Sequence, residues 1–249
     1  MIYKHSGTFG DLIYSLSVVK KIGNGTFAIA LNNIEYTVAQ YGYRPDEIDP
    51  MHRGRFTVLD FNLLEPLLLR QKYITDVQPW RGQQDVDLDK FRGVLFRGFE
   101  GNYIQAYHMT FNLPFKAQDL HEPWLEADAK TIAPIVINRT FRYRCPEGTG
   151  TWQNLLEQSN IVQNGIFVGT EEEHNDFVRL TGFRVDRYPI TDFKELADVI
   201  AGADLFMGNQ SAAYSIAMGL GKSSVLETIK IKPLQNNECY FPRDNCQYF

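Results

Sequence analysis

The 249-residue chain has only three cysteines, Cys145, Cys239 and Cys246. An odd number without a Cys-x-x-Cys pair argues against a disulfide framework and fits a reduced, cytoplasmic compartment. No apolar run of about 18 residues occurs, so no membrane-spanning helix is expected, and the opening MIYKHSGTFGD has no secretory hydrophobic region. A positive excess is missing too: 25 basic against 30 acidic residues give a net charge of −5. Such a balance does not advertise a broad nucleic-acid or membrane-binding surface, though it leaves room for a local basic patch. Among His5, His52, His108, His121 and His174 no pair has zinc-ligand spacing. The nucleophile elbow G-x-S-x-G, the Walker loop and the G-x-G-x-x-G fingerprint are all lacking. Without that fingerprint a nicotinamide dehydrogenase or a methyltransferase ranks low. An Asp-x-Asp form is present in QDVDLDKF, at Asp85, Asp87 and Asp89. These acids precede the expected strand GVLFR rather than end one, and read as an acidic surface loop. No metal and no cofactor is expected.

What the chain does have is alternation. Short apolar strands and helical patterns follow one another, which predicts an α/β fold. Strands are expected at Met1–Lys4, Thr26–Leu31, Thr57–Phe61 and Gly93–Arg97. Helices are expected from Asp11 to Gly23, over Leu63–Arg70 and over Tyr103–Phe111; segments 41–56 and 73–92 read as loops or short elements. The polar, proline-containing stretch Leu120–Lys130 reads as an interdomain connection. Beyond it a second series begins, with strands at Ala133–Asn138, Gly165–Val168, Ala203–Met207 and Ser223–Leu226. Helices interleave at Thr151–Gln158, Glu171–Leu180, Asp192–Ile200 and Ser211–Leu220. The length suits one large domain or two of roughly 120 residues. The duplication favours two Rossmann-like halves, 1–125 and 131–249, facing a cleft beyond the carboxyl ends of their strands.

Four stretches can carry chemistry there. At the start, HSGTFGDLIYSL places Ser6, Gly7, Thr8 and Gly10 in a strand-to-helix turn, with Asp11 where a helix cap would sit. In DLFMGNQSAAYS, a strand runs through Gly208, Asn209, Gln210 and Ser211 into a helix whose unpaired N–H groups suit an anion; a plain turn with a capping serine is the equal alternative. In IVINRTFRYRC, Asn138 ends a strand and Arg139, Arg142 and Arg144 follow, a set suited to phosphates or simply to a solvated basic loop. Phe141 and Tyr143 can stack or pack. In IFVGTEEEH, Gly169 and Thr170 form another strand-to-helix turn, where the acids Glu171 to Glu173 need no role beyond the helix dipole. Glu227, at the end of the last strand, is placed to accept from ribose hydroxyls or to lie in an exposed loop.

Taken together, LADVIAGADLFMGNQSAAYSIAMGLG, the early GDLIYSL and the stretch Asn138–Arg144 resemble GT-B glycosyltransferases, in particular the ADP-heptose:lipopolysaccharide heptosyltransferase group. The chain departs from that group at Asn209-Gln210-Ser211 and Tyr214, where its members usually carry Asp-Thr/Ser-Gly followed by a histidine. The resemblance implies inverting, metal-independent sugar transfer from a nucleotide-diphosphate donor to an acceptor hydroxyl, on a surface glycan, a protein or a modified nucleobase. It implies that Asp11 is the general base and Ser6, Gly7, Thr8 and Gly10 the acceptor-side loop. Donor binding then falls to Asn138, Arg139, Arg142, Arg144, Gly169, Thr170, Gly208, Asn209, Gln210, Ser211 and Glu227. The departure at 209–211 keeps a non-catalytic nucleotide- or glycan-binding relative as the alternative.

Overall fold

In a computed structural model, residues 1–31, 56–95, 99–145, 148–158, 160–228 and 237–249 are described. The first half builds a four-stranded parallel sheet in the order β3-β2-β1-β4, from β1 (Ile2–His5), β2 (Gly25–Ile29), β3 (Ile74–Pro79) and β4 (Val86–Asp87). Its helices are α1 (Phe9–Ile22), α2 (Val58–Arg70), α3 (Arg92–Leu95) and α4 (Tyr103–Thr110). The second half builds a six-stranded parallel sheet in the order β10-β9-β8-β5-β6-β7. Its strands are β5 (Ile135–Asn138), β6 (Gly165–Phe167), β7 (Asp186–Arg187), β8 (Leu205–Asn209), β9 (Ser223–Glu227) and β10 (Cys246–Tyr248). Between them run α5 (Gly148–Gln158), α6 (Ile161–Asn164), α7 (Glu171–Thr181), α8 (Phe193–Ala201) and α9 (Ala212–Gly219). The expected α/β fold with two Rossmann-like sheets is what forms. Among the described residues no helix is long and apolar enough to cross a membrane.

Two expected strands are helical instead. Thr57–Phe61 starts α2: Thr57 accepts from the Asp60 N–H, and Asp60 accepts from the Thr57 N–H at 2.7 Å. This reciprocal capping box outweighs the strand propensity of the residues it starts. Within GVLFR, residues 93–95 belong to α3, and 96–98 lie outside the described residues, as do 32–55. Strands β3 and β4 form inside 73–92, where only loops or short elements were expected, and β10 was not anticipated. Asp11 is not the cap of α1 either. Thr8 is, accepting from the Asp11 N–H at 3.5 Å, which puts Asp11 at the third helical position.

Side-chain alternation in the second sheet sorts its core into two layers. Val136, Ile166, Phe206 and Leu226 face one cluster, while Ile137, Phe167 and Met207 face another with Trp152 and Phe177. The first cluster continues without a break into the first half, through Leu12, Leu16, Phe27 and Leu64. Helix α1 packs along α9, and α2 along α8, so the halves share buried surface. The connecting stretch is bonded into this junction. The N–H groups of Trp124 and Leu125 donate to Gly219 O, and the Trp124 indole donates to Ile13 O at 3.1 Å. Added carbon on Gly219 would meet Leu125 Cδ1 at 2.7 Å, which explains glycine there. Arg70 spans the halves to Asp198 at 2.5 Å.

The strand order then fixes where a ligand can sit. In the first sheet the order reverses at β1, and in the second at β5, so loops leave these strands on opposite sides and open a crevice. Both crevices face the same cleft.

Candidate active site

That cleft, about 340 Å³, is walled by Thr8, Phe9, Gly10, Asp11, Tyr14 and Tyr103 from the first half. Across it stand Thr140, Phe141, Arg142 and Tyr143, then Glu173, and Gln210, Ser211 and Ala212 from the second. The helix starts of α1 and α9 thus both look into it, each presenting N–H groups that lack a partner in their own helix.

Asp11 is held at two points. Arg92 Nη2 donates to its Oδ2 at 2.5 Å, while the Tyr107 hydroxyl donates to its backbone carbonyl at 2.9 Å. Tyr107 is set in turn by His5, whose Nε2 lies 3.0 Å from the hydroxyl and whose Nδ1 accepts from the Gly7 N–H. An imidazole that accepts at Nδ1 and donates at Nε2 is neutral. Burial pushes the His5 pKa down to about 4, against the pull of Asp89 and with the help of Arg92. Arg92 also donates through Nη1 to Asp89 Oδ1 at 2.6 Å, and Lys4 pairs with Asp89 at 2.7 Å. Burial alone would raise the Asp89 carboxyl, yet these cations hold it below the usual carboxylate range. Among the described residues nothing bonds Asp11 Oδ1, the remaining oxygen of the acid that lines the cleft.

The other first-half loop residues divide. Thr8 and Gly10 line the cleft. Ser6 is buried and donates from its backbone N–H and its hydroxyl to Asp89, at 3.2 and 2.6 Å. Gly7 makes room for the guanidinium, because a Cβ there would stand 1.8 Å from Arg92 Nη2. The acids of QDVDLDKF are engaged in the same region: Asp85 accepts from the Ile2 N–H, and Asp87 and Asp89 both pair with Lys4. Among the described residues no group of three His, Cys, Asp or Glu side chains is placed to hold a metal ion.

On the second half, Arg142, Gln210 and Ser211 line the cleft. Ser211 caps α9, accepting from the Tyr214 N–H at 3.2 Å and donating to Asn138 Oδ1 at 2.8 Å. Asn138 donates to Val168 O, so it ties β5 to β6 and to the start of α9. Asn209 is fully buried and pins the next loop: its amide oxygen accepts from the Thr140 N–H at 2.9 Å, and its NH2 donates to Thr140 O and Arg142 O. Gly208 lets β8 approach β5, since a Cβ would lie 2.4 Å from Asn138 O. Arg139 and Glu227 form a buried, two-bond pair at 2.7 and 2.9 Å, and Glu227 also accepts from the Cys145 N–H and the Trp152 indole. That carboxylate faces the interior and does not line the cleft. Arg144 pairs with Asp176 at 2.5 Å and donates to Thr140 O. Gly169 and Thr170 stand behind the cleft, where Thr170 caps α7 and its N–H donates to Glu173 at 3.0 Å.

Several cleft residues were not singled out by the sequence. Glu173 had been assigned only to the helix dipole; it lines the cleft, and burial raises its carboxyl. Tyr14 and Tyr103 stack at 4.7 Å, nearly parallel, and burial keeps both phenols un-ionised. Tyr143, which with Phe141 was expected to stack or pack, lines the cleft at φ +52°, sparsely populated for a side chain of its size, with the Arg142 guanidinium 4.9 Å above its ring. Arg92 had no signal at all, lying 81 positions from Asp11 at the end of a segment expected to hold loops or short elements.

No protein-family model matches the sequence, and no protein of curated function matches it. Solved structures do match in three dimensions. A family 9 glycosyl transferase from Veillonella parvula is similar at TM-score 0.54 and 10% identity, over 100% of this chain and 84% of that one. Heptosyltransferase WaaC of E. coli, solved with ADP, is similar at 0.51 and 11%, over 99% and 92%. ADP-heptose LPS heptosyltransferase II of E. coli is similar at 0.50 and 10%, over 100% and 89%. At such identities the likeness is one of architecture: the chain has the GT-B-type fold of these glycosyltransferases.

Proposed function

We propose that the protein is a glycosyltransferase that moves a sugar from a nucleotide-diphosphate donor to an acceptor hydroxyl, inverting the anomeric centre without a metal ion. The observation that carries this reading is the single cleft with Asp11 on one wall and Arg142 with the start of α9 on the other. The fold likeness supports it, as does the ADP in one of the similar structures. Residues 1–125 would hold the acceptor and 131–249 the donor. Asp11 Oδ1 takes the proton of the acceptor hydroxyl as that oxygen attacks the anomeric carbon from the face opposite the diphosphate. The bond from the anomeric carbon to the phosphate oxygen breaks, and its electron pair leaves with the nucleoside diphosphate. Arg142 and the N–H groups at the start of α9 meet the charge that develops there. The acceptor is a glycan or a nucleobase bearing a hydroxyl, both of which present flat faces to Phe9, Tyr14 and Tyr103.

Asp11→Asn tests the base. General-base removal costs about 10²- to 10⁴-fold in rate. The expected result, measured in EDTA across a panel of nucleotide sugars, is a fall of that size in transfer with donor binding retained. Full turnover by a folded Asp11→Asn protein sinks the assignment. Donor binding without any turnover in the parent protein would instead favour a non-catalytic binder, a reading that the commitment of Asn209 to the 140–142 loop supports.

A further inference from the structure

We propose that Arg92 is the positioning residue of this site, holding Asp11 so that Oδ1 faces the acceptor, and that Gly7 is glycine to admit it. The inference rests on the reading of Asp11 as the base.

Three observations carry it. Arg92 is nearly fully buried, and its two terminal nitrogens bond different carboxylates, Nη2 to Asp11 and Nη1 to Asp89. A guanidinium is a planar fork, so fixing one arm fixes the direction of the other. Asp89 is itself immobilised by Lys4 and by both donors of Ser6, which anchors Arg92 from behind. The third is steric: Gly7 leaves the space that the guanidinium occupies, and a Cβ would stand 1.8 Å from Nη2 and 2.8 Å from the His5 ring. The turn itself does not demand glycine there, because the φ of Gly7 lies outside the left-handed range. Ser6 and Gly7, which fall outside the cleft, thus serve the base from behind rather than the substrate from in front.

The titratable and charged groups around Asp11 include Arg92 from α3, His5 from β1, Tyr14 from α1, Tyr103 from α4, Tyr143 from the loop after β5, Arg142 and Glu173 across the cleft, and Glu238 with Cys239 near the C-terminal end. Burial leaves His5 neutral, raises the phenols and the Cys239 thiol, and raises Glu238. The charge directly bonded to Asp11 is that of Arg92.

The test compares Arg92→Met, Arg92→Lys and Gly7→Ala with the parent and with Asp11→Asn, following kcat and donor KM. A reacting group displaced by about 1 Å can lose on the order of 10²-fold in rate. Arg92→Met is expected to lose that much in kcat with donor KM unchanged. Arg92→Lys keeps the charge but not the fork, so it recovers only part of that kcat. Gly7→Ala lowers kcat without removing any charge. Donor-induced stabilisation against heat certifies that each variant is folded; should Arg92→Met not fold, the other two decide. If Asp11→Asn is inactive while the Arg92 and Gly7 variants keep parental kcat, the positioning role is wrong and the base stands. If Asp11→Asn is fully active, the underlying reading is what fails.

Discussion

At the scale of single residues, the second half is organised by one buried ion pair. Arg139 and Glu227 exchange two bonds with almost no solvent access, and Trp152 and the Cys145 N–H complete the carboxylate's partners. Truncating one member of such a pair leaves the other charge stranded, at a cost of about 3–5 kcal/mol. Arg139→Met is therefore expected to lower unfolding stability by that amount in urea titration, with the loss appearing before any change in donor affinity. The sequence located this pair but not its purpose. Arg139 follows a strand and Glu227 ends one, the usual posts for ligand contacts, and only the sheet order β9-β8-β5 shows that their side chains meet. The place of Asp11, in the turn that walls the cleft, was by contrast legible, because a glycine-rich turn leading into a helix can be read locally. Its partner Arg92 was not: the contact depends on how the residues after β4 fold back against β1.

At the scale of elements, legibility followed the strength of the local signal. Runs such as IVIN and FMGN carry enough apolar, β-branched or aromatic residues to mark buried parallel strands, and each lies centrally in its sheet. The edge strand β3 exposes Thr75 and Asp76 in succession and so lacks either a continuous or an alternating pattern. The start of α2 was misread because Thr57, Val58 and Phe61 look like strand until the Thr57–Asp60 box is weighed. Caps also carry the site: Ser211 holds the first turn of α9 and reaches back to Asn138. Replacing a capping serine by alanine costs about 1 kcal/mol. For Ser211→Ala the expected outcome is a loss of that order in stability together with weaker nucleotide binding, both read from melting curves with and without nucleotide. A cap with no part in the cleft would give the first effect alone.

At the scale of the whole molecule, the two sheets are joined by one continuous core, so a disturbance in the first half is felt by the entire fold. His5 shows how pH enters. Its pKa is near 4 in the folded protein, because of burial, and near 6.5 when unfolded. Between those values the unfolded chain binds more protons, so stability is complete above about pH 6.5 and declines as the pH falls toward 4. The accumulated loss is on the order of 3 kcal/mol. Asp89, held below the usual range by Lys4 and Arg92, adds a further loss at still lower pH, with the same sign. A His5→Gln protein is expected to flatten the stability profile between pH 4 and 6.5, as measured by denaturant unfolding at each pH.

Trp124 has one further consequence. Its indole donates to a carbonyl of α1, its backbone N–H donates to a carbonyl of α9, and the guanidinium of Arg243 lies 5.9 Å from its ring. The remaining tryptophans belong to one half each, Trp80 beside β3 and Trp152 in the core of the second sheet. The molecule therefore contains three optical probes at distinct places: two report on the halves, and Trp124 reports on the junction between them.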